Sequence, residues 1–117
     1  MQISERTEGT ITILDLSGKL ALGDGDGLLK DKVHSLMNQG RRQIALNLGQ
    51  VAYVDSAGLG ELVSVHNTVG KAGGQVKIFH LTKRVSDLLT ITKVLMVFDV
   101  YNSEVEALQS FSTTATA

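Results

Sequence analysis

The chain has 117 residues, of which 43% are hydrophobic and 20% charged, and its formal net charge is −1. This length suits one domain with a single core, and the balanced charge offers no basic surface for direct binding to nucleic acid or to an anionic membrane. The absence of cysteine excludes disulfides and thiolate chemistry. No segment has the pattern of a signal peptide or a membrane span, so we expect a cytoplasmic protein without membrane insertion.

The first third of the chain predicts a hairpin followed by a helix. Residues 2–7 and 10–16 flank the turn residues Glu8-Gly9, and apolar residues alternate in the second segment, so the pair predicts two antiparallel strands. Residues 19–22 form a further short strand or a strand end. The loop at residues 23–27 is dense in glycine and aspartate, but it lacks the lysine of a phosphate-binding loop and the closing glutamate of a calcium loop. Residues 28–39 then place apolar side chains on one helical face.

Residues 44–63 predict a buried strand, a turn and the start of a helix. The first part is a short apolar run, as in a central strand that is covered on both faces. A second apolar run ends at Asp55 and Ser56, and from Leu59 onward the apolar residues recur at helical spacing. Both polar residues are favoured helix caps, and the positive end of a helix dipole tolerates an added phosphate. Two interpretations of Ser56 stay open, a simple N-cap and a regulated hydroxyl.

Strands and helices alternate through the rest of the chain. Residues 75–81 and 95–101 predict strands, residues 83–93 predict a helix, and the Ser-x-x-Glu pattern that begins at Ser103 predicts a last helix. Residues 112–117 are expected to form a disordered tail. This order predicts an α/β fold, with a single mixed, mostly parallel sheet, an antiparallel N-terminal strand pair and about four helices.

No complete catalytic set stands out in the sequence. Ser56 is expected between a strand and a helix, as in a nucleophile elbow, but Val54 and Gly58 occupy the flanking positions, so the G-x-S-x-G pattern is absent. None of the three histidines has the spacing of a metal ligand. We therefore expect no enzymatic activity, no metal and no cofactor.

The segment Asp55-Ser-Ala-Gly-Leu-Gly60, preceded by Asn47-Leu-Gly-Gln-Val-Ala-Tyr-Val54, resembles the signature of the STAS domain, the anti-anti-sigma factor family. Residues 13–20 and 76–81 resemble further strands of that family, and the likeness covers residues 3–111 as one STAS domain. It implies a bacterial anti-sigma factor antagonist that regulates transcription through protein–protein interaction. Its partner would be an anti-sigma factor and serine kinase of the histidine-kinase-like ATPase type, which supplies the ATP. The chain itself is expected to be a monomer or a weak dimer.

The same resemblance assigns functional residues. Many family members carry two consecutive hydroxyls after the aspartate and are phosphorylated on the second, where this chain has Ala57. In the stressosome-like branch the first hydroxyl is the acceptor, which makes Ser56 the candidate phosphoacceptor whose modification switches off binding. The residues expected to contact the partner lie in the glycine-aspartate loop and at the start of the second helix: Gly23, Asp24, Asp55, Ala57, Gly58, Leu59, Gly60 and Glu61.

Two other hypotheses stay open. Because Ala57 stands at the usual acceptor position, the chain is also compatible with a STAS adaptor, or with a subunit of a stressosome-like or transport complex, that is never phosphorylated. The third hypothesis is a small enzyme or a nucleotide-binding protein, although the sequence offers no complete catalytic set for it.

Overall fold

The computed structural model of the protein describes residues 1–23, 27–93 and 96–115, and these residues form five strands and four helices. The strands are β1 (Gln2–Glu8), β2 (Ile11–Leu20), β3 (Gln43–Val54), β4 (Gln75–Phe79) and β5 (Asp99–Tyr101). The helices are α1 (Leu28–Asn38), α2 (Ser56–Lys71), α3 (Lys83–Ile91) and α4 (Glu104–Ala115). Within these ranges, no helix is long and apolar enough to cross a membrane.

All five strands lie in one sheet, in the order β1-β2-β3-β4-β5. Strand β1 pairs antiparallel with β2, and every later neighbour pairs in parallel. Helices α1, α2 and α3 each connect two parallel strands, because a parallel neighbour can be reached only by a crossover. The predicted α/β class, with its mixed sheet and antiparallel first pair, is therefore confirmed.

Helices cover both faces of the sheet. Helices α1, α2 and α3 bury side chains such as Leu36, Leu62 and Leu89 against one face, whereas α4 buries Ala107 and Phe111 against the other. The central strand β3 therefore buries consecutive residues on opposite faces. This two-sided burial explains the continuous apolar run in the sequence, since each buried apolar side chain contributes about 1.5–3 kcal/mol.

Several element boundaries differ from the prediction. The two apolar runs before Asp55 belong to one 12-residue strand, β3, which pairs with β2 across two irregularities in register. Of the two alternatives predicted for residues 19–22, the strand end is confirmed and the separate strand is wrong, because β2 continues to Leu20 and ends there. Strand β5 begins only at Asp99, and residue 95, where this strand was predicted to start, lies outside the described residues.

The C-terminal helix is longer than the sequence suggested. Helix α4 reaches Ala115, so its backbone continues into the segment 112–115, which was expected to belong to a disordered tail. Residues 116–117 lie outside the described residues. The predicted domain, residues 3–111, contains the whole sheet apart from Gln2, the first residue of β1. It also contains most residues of the four helices.

Candidate functional site

The carboxylate of Asp55 organises the junction between β3 and α2. Asp55 is the only residue between these elements and is the N-cap of α2. One carboxylate oxygen accepts a hydrogen bond from the backbone N–H of Gly58 at 2.9 Å, and the other accepts from the N–H of Leu22 at 3.0 Å. These hydrogen bonds lower the pKa of Asp55 because they stabilise the charged form, and the bond from Leu22 has the largest effect. The side chain thus holds the start of α2 against the chain that follows β2.

Ser56 is not the cap of this helix. It is the first residue of α2, one position after the cap, and its side chain is exposed. Its hydroxyl forms no hydrogen bond to any residue that the structure describes. The N-cap interpretation of Ser56 is therefore wrong, because the carboxylate of the preceding residue already occupies that role. The hydroxyl is available for another function.

Gly58 allows a close approach between α2 and the end of β2. It is buried, and a Cβ added to it would lie 1.9 Å from the backbone oxygen of Leu20. Gly60, two residues later, is exposed and would place a Cβ in open space. The two glycines of the motif therefore differ. Packing requires a glycine at Gly58, whereas the exposed surface at Gly60 has room for a side chain.

Glu61 has a structural role that the sequence did not reveal. Its carboxylate accepts hydrogen bonds from the backbone N–H of Lys30 at 2.9 Å and from that of Gly27 at 3.4 Å. Both groups lie at the start of α1, whose N-cap is Gly27 and offers no side-chain acceptor. Glu61 lies on α2 and thus caps the neighbouring helix α1. The local sequence pattern of neither helix indicates this contact.

We expect Glu61→Ala to lower the free energy of unfolding by about 1–2 kcal/mol, as the loss of a helix cap does. Urea unfolding followed by circular dichroism measures this change. Glu8→Ala is the matched control, because Glu8 lies on the exposed end of β1 and its carboxylate accepts no hydrogen bond from a described residue. An equal effect of the two substitutions would contradict the capping role.

The residues predicted to contact a partner surround the start of α2. Ala57 and Gly60 line a depression of about 250 Å³ that faces α1. Leu59 is half-buried and faces α3 instead. Gly23 is exposed in the loop after β2, whereas Asp24 lies outside the described residues. The described members of the set are thus brought to one end of the molecule, with Ser56 among them.

A largely apolar groove separates the start of α2 from α3, and we call it the α2–α3 groove. It has a volume of about 620 Å³, and Tyr53 and Ile91 on its walls are 44% and 79% exposed. The other residues that line it are Val54, Asp55, Ser56, Leu59, Arg84, Val85, Asp87, Leu88 and Thr92. The residues of α3 were missed by sequence reasoning, because no local pattern shows which helices become neighbours.

The site has the composition of a binding surface. In the part of the chain that the structure describes, no group of three or more histidine, cysteine or acidic side chains is placed to hold a metal ion. The groove instead combines exposed apolar side chains with a few polar groups, which are the hydroxyls of Tyr53, Ser56 and Thr92, the carboxylates of Asp55 and Asp87, and one arginine. Such an arrangement suits contact with another protein, since an interface needs an apolar centre with a few polar groups around it.

Comparison with known proteins identifies relatives that match most of the chain. The family model described as the STAS domain matches residues 2–107. The anti-sigma F factor antagonist of Paenibacillus polymyxa is 24% identical over 108 residues, which are 92% of each protein. The anti-sigma-B factor antagonist of Bacillus subtilis (strain 168) is 34% identical over 73 residues, which are 62% of this chain and 66% of that protein.

A solved structure extends the comparison to the fold. The anti-sigma factor antagonist SpoIIAA, a Bacillus cell fate determinant, superposes in its unphosphorylated form with a TM-score of 0.71 at 14% identity, covering 99% of this chain and 100% of SpoIIAA. Its phosphorylated form superposes with the same TM-score of 0.71, covering 94% of this chain and 99% of SpoIIAA. At this identity the likeness demonstrates a shared fold.

Proposed function

Because the chain belongs to the STAS domain family, we propose that it is an anti-sigma factor antagonist, a regulatory binding protein and not an enzyme. It binds an anti-sigma factor through the exposed start of α2 and the adjoining α2–α3 groove. The sigma factor that this partner had held is then released for transcription. Because bacterial transcription takes place in the cytoplasm, we infer that the protein acts there. The relatives named as antagonists of anti-sigma factors support this proposal.

The observation that carries the proposal is the free hydroxyl of Ser56 on the rim of the groove. A kinase needs an accessible hydroxyl that can enter its active site without unfolding the substrate. Ser56 is exposed, lies outside the capping hydrogen bonds of α2, and forms no hydrogen bond with the described residues. We therefore infer that Ser56 is the phosphoacceptor.

The partner supplies the chemistry of this modification. We infer that the anti-sigma factor is a serine kinase of the histidine-kinase-like ATPase type, with ATP bound to the kinase. The oxygen of Ser56 forms a bond to the γ-phosphorus, the bond between that phosphorus and the β,γ-bridging oxygen breaks, and ADP leaves. The hydroxyl proton passes to a base of the kinase. This chain contributes the acceptor and the docking surface, and it needs no cofactor of its own.

Phosphorylation switches the antagonist off by adding charge to an apolar interface. A phosphate brings about −1.5 to −2 charges and three acceptor oxygens. A partner that closes over the groove has to desolvate this group, at a cost of several kcal/mol when the charge is unpaired. Because each ~1.4 kcal/mol weakens binding tenfold, this cost is enough to dissociate a micromolar complex.

The second candidate function is a STAS adaptor that is never phosphorylated. It is favoured by one observation, since Ala57 stands exposed at the position where many family members carry the acceptor hydroxyl. Such a protein would bind its partner permanently, as a subunit of a stressosome-like or transport complex. The two functions differ in whether the partner kinase modifies the chain.

Incubation with the cognate anti-sigma kinase and ATP, followed by mass spectrometry, tests the proposal. We expect one phosphate on Ser56 in the natural chain and none in Ser56→Ala. Ser64→Ala is the matched control, because Ser64 lies on the same helix, two turns away and facing α1, and its removal should leave the modification intact. An unmodified chain that still binds the kinase would instead establish the adaptor.

A further inference from the structure

A basic side chain lies in the same groove as Ser56. Arg84, in the first turn of α3, is exposed and lines the α2–α3 groove together with Ser56. It also lines an adjoining depression formed by residues such as Tyr53 and Leu22. Arg84 therefore stands between the two open surfaces at this end of the molecule.

Arg84 differs from the other arginines in having no partner among the residues that the structure describes. Within the described ranges, its guanidinium forms no hydrogen bond and no ion pair. Each of the other three arginines donates at least one hydrogen bond: Arg6, Arg41 and Arg42. A surface arginine without a partner keeps all its donors available for a ligand with several acceptor oxygens.

The acidic groups of the groove are already engaged. Asp55 accepts from two backbone N–H groups at the junction, and Asp87 accepts from the ammonium of Lys83 at 3.3 Å. The first turn of α3 contains no acidic residue, so Arg84 also lies against the positive end of that helix dipole. An anion on the rim of the groove would relieve this repulsion.

We propose that Arg84 binds the phosphate carried by Ser56, so that phosphorylation closes the α2–α3 groove from within. This inference rests on the proposed function, because it needs a phosphate on Ser56. The planar guanidinium donates two parallel hydrogen bonds to phosphate oxygens, a geometry that lysine does not offer. A docking partner then meets a groove bridged by an ion pair, and it also loses Arg84 as a contact of its own.

The second pKa of phosphoserine reports this contact directly. Phosphoserine is placed at position 56 during translation by amber suppression, and its phosphorus signal is titrated by NMR. A paired guanidinium favours the doubly charged phosphate, so we expect this pKa to be about half a unit lower in the parent chain than in Arg84→Gln. The neighbouring Lys83→Gln is the matched control and should produce less than half of that shift.

The outcomes separate this inference from the proposed function. The phosphate is introduced without a kinase, so the titration does not depend on whether the anti-sigma factor modifies Ser56. An unchanged pKa in Arg84→Gln, or an equal shift in Lys83→Gln, would overturn the contact. Failure of the kinase to modify the chain, with the pKa difference present, would refute the proposed switch and leave the contact established. As a second readout, the Nε–H signal of Arg84 should move on phosphorylation, while those of the other arginines stay in place.

Discussion

Gly58→Ala is expected to lower the free energy of unfolding by about 3 kcal/mol, a large effect for a single methyl group. The new Cβ would lie 1.9 Å from the backbone oxygen of Leu20, and neither group can rotate away. The start of α2 must therefore move from the end of β2, which also breaks the hydrogen bonds that Asp55 accepts. Urea unfolding gives the change in free energy, and in a domain of this size we expect the melting temperature to fall by roughly 10 °C.

Gly60→Ala is the matched control for this prediction. It makes the same chemical change on the same helix, but its Cβ would have no neighbour within 4 Å. Because alanine favours the helix over glycine, we expect Gly60→Ala to raise the free energy of unfolding by up to about 1 kcal/mol. The two variants should thus change stability in opposite directions. A similar effect of both would show that the close approach at Gly58 is not what the motif requires.

The fold could be predicted because its signals are local. The helical spacing that begins at Leu59, and the alternation of strands and helices after it, depend on the burial of one side of each element. Burial on both faces gave β3 its continuous apolar sequence. Boundaries were less accurate. Asp55 and Ser56 are both good capping residues, so propensity could not decide between adjacent positions, and the geometry places the cap on Asp55.

The candidate site could be predicted only in part. Its motif lies in one segment, which located Ser56 and its neighbours, and the resemblance supplied a role for them. Glu61 caps a helix about 30 positions earlier in the chain, and Arg84 enters the groove from a helix that begins after the next strand. Contacts of this kind depend on which elements become neighbours in space, and no local spacing encodes that information. The groove beside Ser56 thus includes residues that lie well outside the motif.

The position of Ser56 also determines how its modification should act. Since Asp55 holds the cap, a negative charge on the first residue of α2 disrupts no hydrogen bond among the described residues and lies favourably at the positive end of the helix dipole. Phosphorylation is therefore expected to change the surface and leave the fold intact. A site of this kind can be phosphorylated without unfolding the domain.

Ser56→Asp is expected to weaken binding to the anti-sigma factor at least tenfold, while the melting temperature changes by no more than a few degrees. The added carboxylate lies on the rim of an apolar groove, where a partner has to desolvate it, and ~1.4 kcal/mol already corresponds to a factor of ten. Isothermal titration calorimetry measures the affinity, and circular dichroism measures the melting temperature. Ser56→Ala should bind as the parent chain does, because it adds no charge and removes no hydrogen bond to a described residue.

Asn67→Asp is the control for added charge. It introduces the same carboxylate on an exposed position of the same helix, about three turns from Ser56, and should leave the affinity nearly unchanged. Comparable weakening by both substitutions would mean that net charge opposes the partner, whatever its location. Unfolding of Ser56→Asp would mean that the first turn of α2 cannot accept a negative charge, and the proposed switch would fail. Local weakening with a retained fold follows only if the partner closes over the start of α2, because only there does the charge have to leave water.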